Sequence, residues 1–411
     1  MSRTGYGLAL AASALASTFF VPQISFAQEE HAESWRLFIA DHTLPVVRAV
    51  DLATGKEIGR FDTKGFNSLS LSESGRTLFA IQGDENLVQA IDTGIALSDH
   101  GDHRDIELSD PKLLPTTITG KKPGHVVTHG DDIAVFYDRD NRFDLLSEDA
   151  LIEGKPEIRG FETTLAHHGV AVPMGQYLLT SVPKTDVTVK EGELPPRRGL
   201  RVLDRDGKQV GDIATCSDLH GEATSARLVA FGCSEGVLVV RPNGSEAPKL
   251  DLIAYGDKLP KGKVSTLLGG TSMQFFLGNY GEDKVALIDV DDKEMPYRLV
   301  DLPTRRVDFA LDPAEPRNAY VLTEDGKLHL IDTIDAKIKL SGTVTEPYSK
   351  DGHWRDPRPR LAVAGDHIVI TDPRHSLVRI IDPKTLKEER TIAVEGQPFV
   401  VVAAGGSGAT H

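Results

Sequence analysis

Histidines close to acidic residues are the side chains of this sequence best suited to binding a metal ion. The segment SDHGDHRD places His100 and His103 three residues apart, with Asp102 between them. Imidazole nitrogens and carboxylate oxygens are ligands of zinc and related divalent ions. We expect a flexible loop here, and ordering a flexible loop around an ion costs conformational entropy. The short motif leaves two interpretations open, a weak metal site and a solvated loop.

A second group of histidines is predicted to meet in space. His125, His168 and His220 lie in PGHVVTH, AHHGVAV and DLHGEAT, each immediately before or at the start of an apolar strand. If these strands are the innermost strands of consecutive repeats, the three imidazoles occupy the same structural position and converge as a near-tetrahedral zinc site. His167 and Glu222 are adjacent candidates for a fourth ligand or for groups that orient the imidazoles. The alternative is that these histidines bind only buried water and backbone.

The strands that must position these histidines follow a repeated pattern. Each repeat has an apolar strand, a polar turn and a second apolar strand that closes with aspartate. With weaker copies in the middle of the chain, the pattern occurs eight times. A spacing of roughly 40 to 50 residues with short strands is typical of a β-propeller, and a large β-sandwich would not repeat so often. The aspartates of the five clearest copies are Asp51, Asp92, Asp289, Asp332 and Asp382.

The two ends of the chain indicate how the ring closes. The first copy begins at a second strand, RLFIA, and the chain finishes with the apolar stretch QPFVVVAAGG. In a propeller, this last strand can supply the innermost strand of the first blade and so remove an exposed sheet edge. We therefore predict an all-β fold, a single propeller over residues 28–411 closed by pairing of the N- and C-terminal strands. Eight blades are favoured, with seven as the alternative.

Motifs of other chemistries are missing. The sequence has no G-x-S-x-G elbow, Walker A loop, H-E-x-x-H pair or C-x-x-C-H haem attachment. Calcium is disfavoured because it takes oxygen ligands, whereas the candidate ligands are mainly imidazoles. Imidazole suits zinc, copper and nickel alike, and a redox-inactive site of histidine and carboxylate favours zinc.

The first 27 residues resemble a cleaved secretory signal, with Arg3, an apolar stretch and a small-residue end at Ala27. We expect a soluble periplasmic protein, since no later segment has the roughly 18 apolar residues of a membrane span. We also expect it to be a monomer. In an oxidising compartment, the two cysteines, Cys216 and Cys233, are expected to form a disulfide. The alternative is a thiolate metal site of Cys216 with His220. The net charge of −15 argues against nucleic acid and anionic membranes as partners.

Taken together, these features resemble the AztD-type periplasmic zinc metallochaperones. The resemblance covers essentially the whole mature chain, and SDHGDHRDIEL, PGHVVTHGDD, HHGVAVPMGQ and DLHGEA are its most specific parts. It implies a carrier that holds Zn²⁺ in the propeller channel and hands it directly to the periplasmic solute-binding protein of a zinc ABC importer. It also implies channel ligands and a mobile auxiliary site at the mouth of the channel site. The implied channel ligands are His125, His168 and His220, with His167 possible, and the implied auxiliary ligands are His100, Asp102 and His103.

Two other functions compete with zinc delivery. A metal-dependent propeller hydrolase of the lactonase type would keep water on its metal beside a substrate pocket, whereas a carrier can close the coordination shell with protein ligands. A protein-binding scaffold with incidental histidines would retain no zinc.

Overall fold

A computed structural model describes residues 1–2, 31–99, 101 and 104–409 of the chain. Nearly all of the regular structure is β-strand, arranged in eight sheets that form the blades of a propeller. The predicted eight-bladed ring is therefore confirmed, and the seven-bladed alternative is wrong. Within the described part of the chain, no helix has the length and apolar character needed to cross a membrane.

The strands follow one another around the ring in chain order. Blades 1 and 2 and an additional hairpin use β1 (His31–Asp41), β2 (Val46–Asp51), β3 (Glu57–Asp62), β4 (Ser68–Leu71), β5 (Thr77–Gln82), β6 (Leu87–Asp92), β7 (Ile95–Asp99), β8 (Arg104–Leu108) and β9 (Lys112–Thr119). Blades 3 to 5 use β10 (Pro123–His129), β11 (Asp132–Tyr137), β12 (Arg142–Ser147), β13 (Arg159–Glu162), β14 (Ala171–Met174), β15 (Tyr177–Pro183), β16 (Arg197–Asp204), β17 (Gln209–Thr215), β18 (His220–Ser225), β19 (Leu228–Gly232), β20 (Gly236–Asn243) and β21 (Glu246–Ala254).

The remaining blades complete the circle. Blades 6 to 8 and the closing strand use β22 (Leu267–Leu268), β23 (Phe275–Tyr280), β24 (Lys284–Asp289), β25 (Tyr297–Asp301), β26 (Arg306–Leu311), β27 (Asn318–Thr323), β28 (Lys327–Asp332), β29 (Lys337–Thr343), β30 (Leu361–Ala364), β31 (His367–Asp372), β32 (Leu377–Ile381), β33 (Glu388–Ala393) and β34 (Pro398–Ala409). A short helix, α1 (Glu148–Ile152), follows β12, and a 3-10 turn (Gly83–Glu85) follows β5.

The repeated sequence pattern corresponds to the second and third strands of each blade. The second strands are apolar at nearly every position because both of their faces pack against neighbouring blades; β5, for example, is buried throughout. The closing aspartate begins the turn after the third strand. The Asp332 carboxylate accepts hydrogen bonds from the backbone N–H groups of Ile334 and Asp335, both at 2.9 Å. This Asx-type turn explains why aspartate recurs at that point of the repeat.

Pairing between the two ends of the chain closes the ring, as predicted. The last strand, β34, lies antiparallel to β1 over the whole length of β1, with Leu37 opposite Ala403 and Ile39 opposite Val401. It forms the innermost strand of blade 1, so the blade that begins the chain is completed by residues from its end. Leu37 and Ile39 are buried, and the closure hides apolar side chains as well as a sheet edge.

Blade 1 has six strands because a hairpin from blade 2 joins it. β7 and β8 leave blade 2 between its third and fourth strands, and β8 pairs in parallel with β34 through Asp105 and Ala409. This contact is at the end of β34. The innermost strands of a propeller all run in the same direction along the channel. The described strands of the hairpin therefore lie at the end of the channel where those strands finish, opposite to the end where they start.

The two cysteines form a disulfide, as predicted, and the alternative thiolate site of Cys216 with His220 is wrong. Cys216 directly follows β17 of blade 4, and Cys233 directly follows β19 of blade 5. Both are fully buried in a cluster with Leu219, Phe231 and other apolar residues of the two blades. The bond therefore joins neighbouring blades close to the start of β18.

Candidate metal centre

Three histidine rings meet at the start of the innermost strands of blades 3, 4 and 5. The ring centroids of His125 and His168 lie 4.9 Å apart, and those of His168 and His220 lie 5.4 Å apart. With Glu222, they line one small depression in the channel wall. The structure thus brings together the three histidines that the sequence predicts to converge.

The three histidines reach this point from positions that are not equivalent, which corrects the expectation of one shared position. His125 pairs with Phe136, the penultimate residue of β11. In blade 5 the corresponding partner, Phe231 of β19, pairs with Glu222. The register shifts at both places, next to Gly124 in β10 and at Gly221 in β18. Such bulges re-aim neighbouring side chains.

The glycine at the second bulge has a specific steric role. Gly221 has a φ of +71°, and a Cβ atom there would lie 2.6 Å from the carbonyl oxygen of Ser265. A side chain at this position would therefore be strained and would collide with the neighbouring segment. That same carbonyl oxygen holds the ring of His220.

Each of the three rings donates its Nδ1–H to an acceptor on a neighbouring blade. His125 bonds to the carbonyl oxygen of Gly169 at 2.8 Å, and His220 bonds to that of Ser265 at 2.8 Å. His168 bonds to the carboxylate of Asp138 at 2.7 Å. A proton held on Nδ1 leaves the Nε2 lone pair free, and no described group hydrogen-bonds any of the three Nε2 atoms. Metal-binding histidines in proteins are oriented in this way.

Asp138 is a site residue that the sequence reasoning missed. It lies directly after β11, and the residue is only 6% exposed. Its Oδ2 holds His168, while Oδ1 is buried without a hydrogen-bond partner among the described residues. A Cβ at position 124 would approach Oδ1 to 2.5 Å, so Gly124 provides the space for this carboxylate. His125, Asp138 and His168 each offer a ligand atom within 4.8 Å of the others.

The electrostatics of the depression favour neutral imidazole. His220 is reached by solvent, yet the concave channel wall surrounds it with protein, and this burial lowers its pKa to about 4. Burial also raises the pKa of Glu222, while the nearby His125 and His168 act in the opposite direction. A neutral imidazole can bind a metal ion without first losing a proton. Glu222, predicted as an adjacent candidate, also lines this depression.

His167 is in a different position from its neighbour His168. It is fully buried, and its Nδ1 and Nε2 lie 2.7 Å from the carbonyl oxygen of Leu165 and 2.9 Å from the hydroxyl oxygen of Ser181. Its ring packs edge-on against Phe136. Burial lowers the pKa of His167 to about 4. Both ring nitrogens are occupied by protein partners, so the structure does not bring His167 to the other histidines as a ligand.

Comparison with known proteins gives a full-length relative. The chain is 46% identical over 383 residues to the zinc chaperone AztD of Citrobacter koseri, which covers 93% of this chain and 89% of the relative. The chain belongs to the AztD family of zinc chaperones. The crystal structure of Citrobacter koseri AztD superposes with a TM-score of 0.88 over 92% of this chain and all of that one. The apo form of AztD from the same organism gives 0.85, at 44% identity and the same shares of the two chains.

More distant structures show the fold alone. The dihydro-haem d1 dehydrogenase NirN matches with a TM-score of 0.58 at 12% identity, covering 89% of this chain and 74% of NirN. No family model matches the chain. Membership of the AztD family places the chain among zinc chaperones and not among enzymes, which argues against the metal-dependent hydrolase.

The predicted auxiliary ligands of this AztD family member lie outside the described residues. The structure does not describe His100, Asp102 or His103. It also does not describe the predicted signal segment 1–27, apart from its first two residues. The flanking residues Asp99 and Arg104 pair with each other in the β7–β8 hairpin. Because that hairpin joins the end of β34, its described strands lie at the end of the channel away from the three histidines. The expected position of His100, Asp102 and His103 at the mouth of the channel site stays a prediction.

Proposed function

We propose that this protein binds one zinc ion at the channel site and delivers it to the periplasmic solute-binding protein of a zinc ABC importer. The observation that carries the proposal is the common orientation of three imidazoles, each held through Nδ1 and each with a free Nε2. His125, His168 and His220 are the proposed ligands. The printed name of the relative, zinc chaperone, supports zinc as the cargo.

The groups around the ligands suit a carrier. Asp138 fixes the ring of His168 and adds negative charge beside the ion, and Glu222 is the proposed fourth ligand. Three nitrogens and one oxygen are a common tetrahedral set for zinc. A shell closed by protein leaves no position for the water that a hydrolase needs.

Delivery is proposed to proceed by ligand exchange within a docked complex. Tightly held zinc dissociates slowly, but a ligand of the recipient can replace one protein ligand at a time so that the ion is never bare. Glu222 and the solvent-reached His220 are the ligands that we expect to be exchanged first. His100, Asp102 and His103 remain the proposed auxiliary ligands, and residues 1–27 the proposed export signal.

The transfer step is tested with the zinc-loaded protein and the apo form of the solute-binding protein. We expect zinc to move to this recipient faster than to a small chelator of equal affinity, at a rate that rises with recipient concentration. Equal rates for recipient and chelator would contradict docking and indicate simple dissociation.

A deletion separates the two proposed sites. A variant lacking residues 99–104 is expected to retain one tight zinc ion per chain and to transfer it more slowly. Loss of the tight ion from this variant would show that the HGDH segment, not the channel, is the main site.

A further inference from the structure

Arg197 is an arginine at the edge of the candidate metal centre. It is the first residue of β16, its side chain is half-buried, and its Nε donates a hydrogen bond to the carbonyl oxygen of Leu219 at 2.7 Å. Its own carbonyl oxygen accepts a hydrogen bond from the backbone N–H of Asp218 at 3.0 Å. Arg197 therefore holds the two residues that come immediately before His220.

The charge of Arg197 has no close counter-ion. Over residues 31–99 and 104–409, no carboxylate lies in ion-pair contact with its guanidinium, and the two acids that its charge senses, Asp218 and Asp138, are farther away. Burying an arginine without an ion pair costs free energy, because the protein replaces only part of its hydration. A neutral glutamine could also donate to the carbonyl oxygen of Leu219. The hydrogen bond alone therefore does not explain a positive charge at this position.

The charge of Arg197 lies beside the histidine cluster. The carbonyl oxygen that its guanidinium holds belongs to Leu219, which lines the same depression as His125, His168 and His220. A positive charge beside this depression opposes a divalent cation bound to His220. Between a unit charge and a doubly charged ion several ångströms apart, partly screened by solvent, the repulsion amounts to about a tenfold change in affinity.

We propose that Arg197 limits the affinity of the three-histidine centre for zinc by electrostatic repulsion and thereby speeds release of the ion to a recipient. This inference rests on the proposed zinc site. A carrier that delivers its ion must bind it less tightly than the recipient does, and an unpaired positive charge beside the site lowers affinity without removing a ligand. Asp138, on the other side of the cluster, orients His168 and favours binding, so that Arg197 and Asp138 act in opposite directions.

The test compares substitutions that remove the charge with one that keeps it. Arg197→Gln and Arg197→Met remove the charge, Arg197→Lys retains it, and Arg198→Gln removes the charge of the exposed neighbouring arginine as a matched control. Zinc affinity is measured by competition with a chromophoric chelator, and zinc release by stopped-flow after addition of excess chelator. Thermal unfolding of the zinc-free proteins shows whether each variant is folded.

We expect Arg197→Gln to bind zinc about tenfold more tightly and to release it correspondingly more slowly. The zinc affinities and release rates of Arg197→Lys and Arg198→Gln should remain within a factor of about two of those of the unsubstituted protein, which is well below that electrostatic effect. Arg197→Met provides the same comparison should the glutamine variant be unfolded.

Unchanged affinity in both charge-removing variants would overturn the inference while leaving the zinc site intact. Equal changes of zinc affinity in the lysine and glutamine variants would overturn it as well, because they would assign the effect to the hydrogen bond and not to the charge. An unsubstituted protein that retains no zinc would remove the proposed function itself, and this inference with it.

Discussion

The ring of His168 in blade 4 is held by the carboxylate of Asp138 in blade 3, with 2.7 Å between Nδ1 and Oδ2. This bond fixes the tautomer that leaves Nε2 free, and it couples the orientation of a proposed ligand to the packing of two blades. The other carboxylate oxygen, Oδ1, is buried without a partner among the described residues. A buried carboxylate next to three imidazoles is an arrangement that a divalent cation would stabilise.

Asp138→Asn is expected to weaken zinc binding by about 10- to 100-fold while the protein remains folded, since partners that orient ligands have effects of this size. The amide can still contact His168, but it carries no charge and does not select the required tautomer. Chelator competition measures the affinity. Asp212→Asn, at an exposed position of β17, serves as the control. An asparagine variant with unchanged affinity would show that Asp138 does not orient a ligand.

Gly169 lies at the centre of the histidine packing, and Gly169→Ala is expected to destabilise the protein by about 2 kcal/mol through overpacking. A Cβ there would lie 2.4 Å from the Ser181 hydroxyl oxygen and 2.6 Å from His167 Nε2. Because the carbonyl oxygen of Gly169 holds His125, zinc affinity should fall as well. Urea unfolding and zinc titration measure the two effects.

The matched control for that substitution is Gly160→Ala in β13. Its Cβ would come no closer than 3.4 Å to another atom, the Oδ1 of Asp144. The stability and the zinc affinity of this control should stay near those of the unsubstituted protein. Similar losses in the two variants would indicate a general cost of replacing glycine and not the packing described here.

Removing the disulfide with Cys216→Ala and Cys233→Ala is expected to lower the free energy of unfolding by about 3 kcal/mol, the value typical of a closed loop of this length. The two cysteines are 17 residues apart and join blades 4 and 5. Urea unfolding with and without a reductant provides the measurement. The reductant should destabilise the unsubstituted protein and leave the double variant unaffected. Equal stability of the two proteins in the absence of reductant would contradict the prediction.

Acidification should reduce stability through buried histidines, and His329 provides a test remote from the metal centre. Burial lowers its pKa, and its ring nitrogens lie 2.8 and 3.0 Å from the hydroxyl oxygens of Ser341 and Thr323. Above pH of about 6.5, histidine is neutral in both folded and unfolded chains and contributes no pH dependence. Below that pH the unfolded chain takes up the proton more readily, so stability falls.

The free energy of unfolding of the unsubstituted protein should therefore decrease between pH 7 and pH 5, and the decrease should be smaller in His329→Gln. His353→Gln replaces an exposed histidine and should leave the decrease unchanged. If the two variants respond to pH alike, burial of His329 does not contribute to acid sensitivity.

Much of the fold was predictable because its signals are local. Closing aspartates such as Asp332 form their turns with residues two and three positions further on. The second strands are apolar at nearly every position because blades cover both of their faces. The pairing of β7–β8 with β34 was not predictable in this way, since it joins residues from opposite ends of the chain and depends on which sheet edge is free.

The site was predictable only in part. Histidines at the starts of three innermost strands indicated convergence, and the structure places His125, His168 and His220 together. Whether His167 or His168 faces the channel depends on the path of the backbone between β13 and β14, which two adjacent histidines do not reveal. Asp138 carries no local motif, and only the packing of blade 3 against blade 4 brings it to His168. Its position after the strand that pairs with the His125 strand was the one available signal.

The central claim is tested most directly by counting zinc ions and measuring affinity in the mature protein and in His125→Ala, His168→Ala and His220→Ala. We predict one tightly bound zinc ion per chain in the unsubstituted protein. Zinc affinity should fall by more than about 100-fold in each alanine variant. A fall of about 100-fold is the upper limit typical of removing a group that only orients a ligand. His167→Gln, which alters a neighbouring histidine with both nitrogens in use, should retain the tight ion. Unchanged tight binding in all three alanine variants would contradict the channel site.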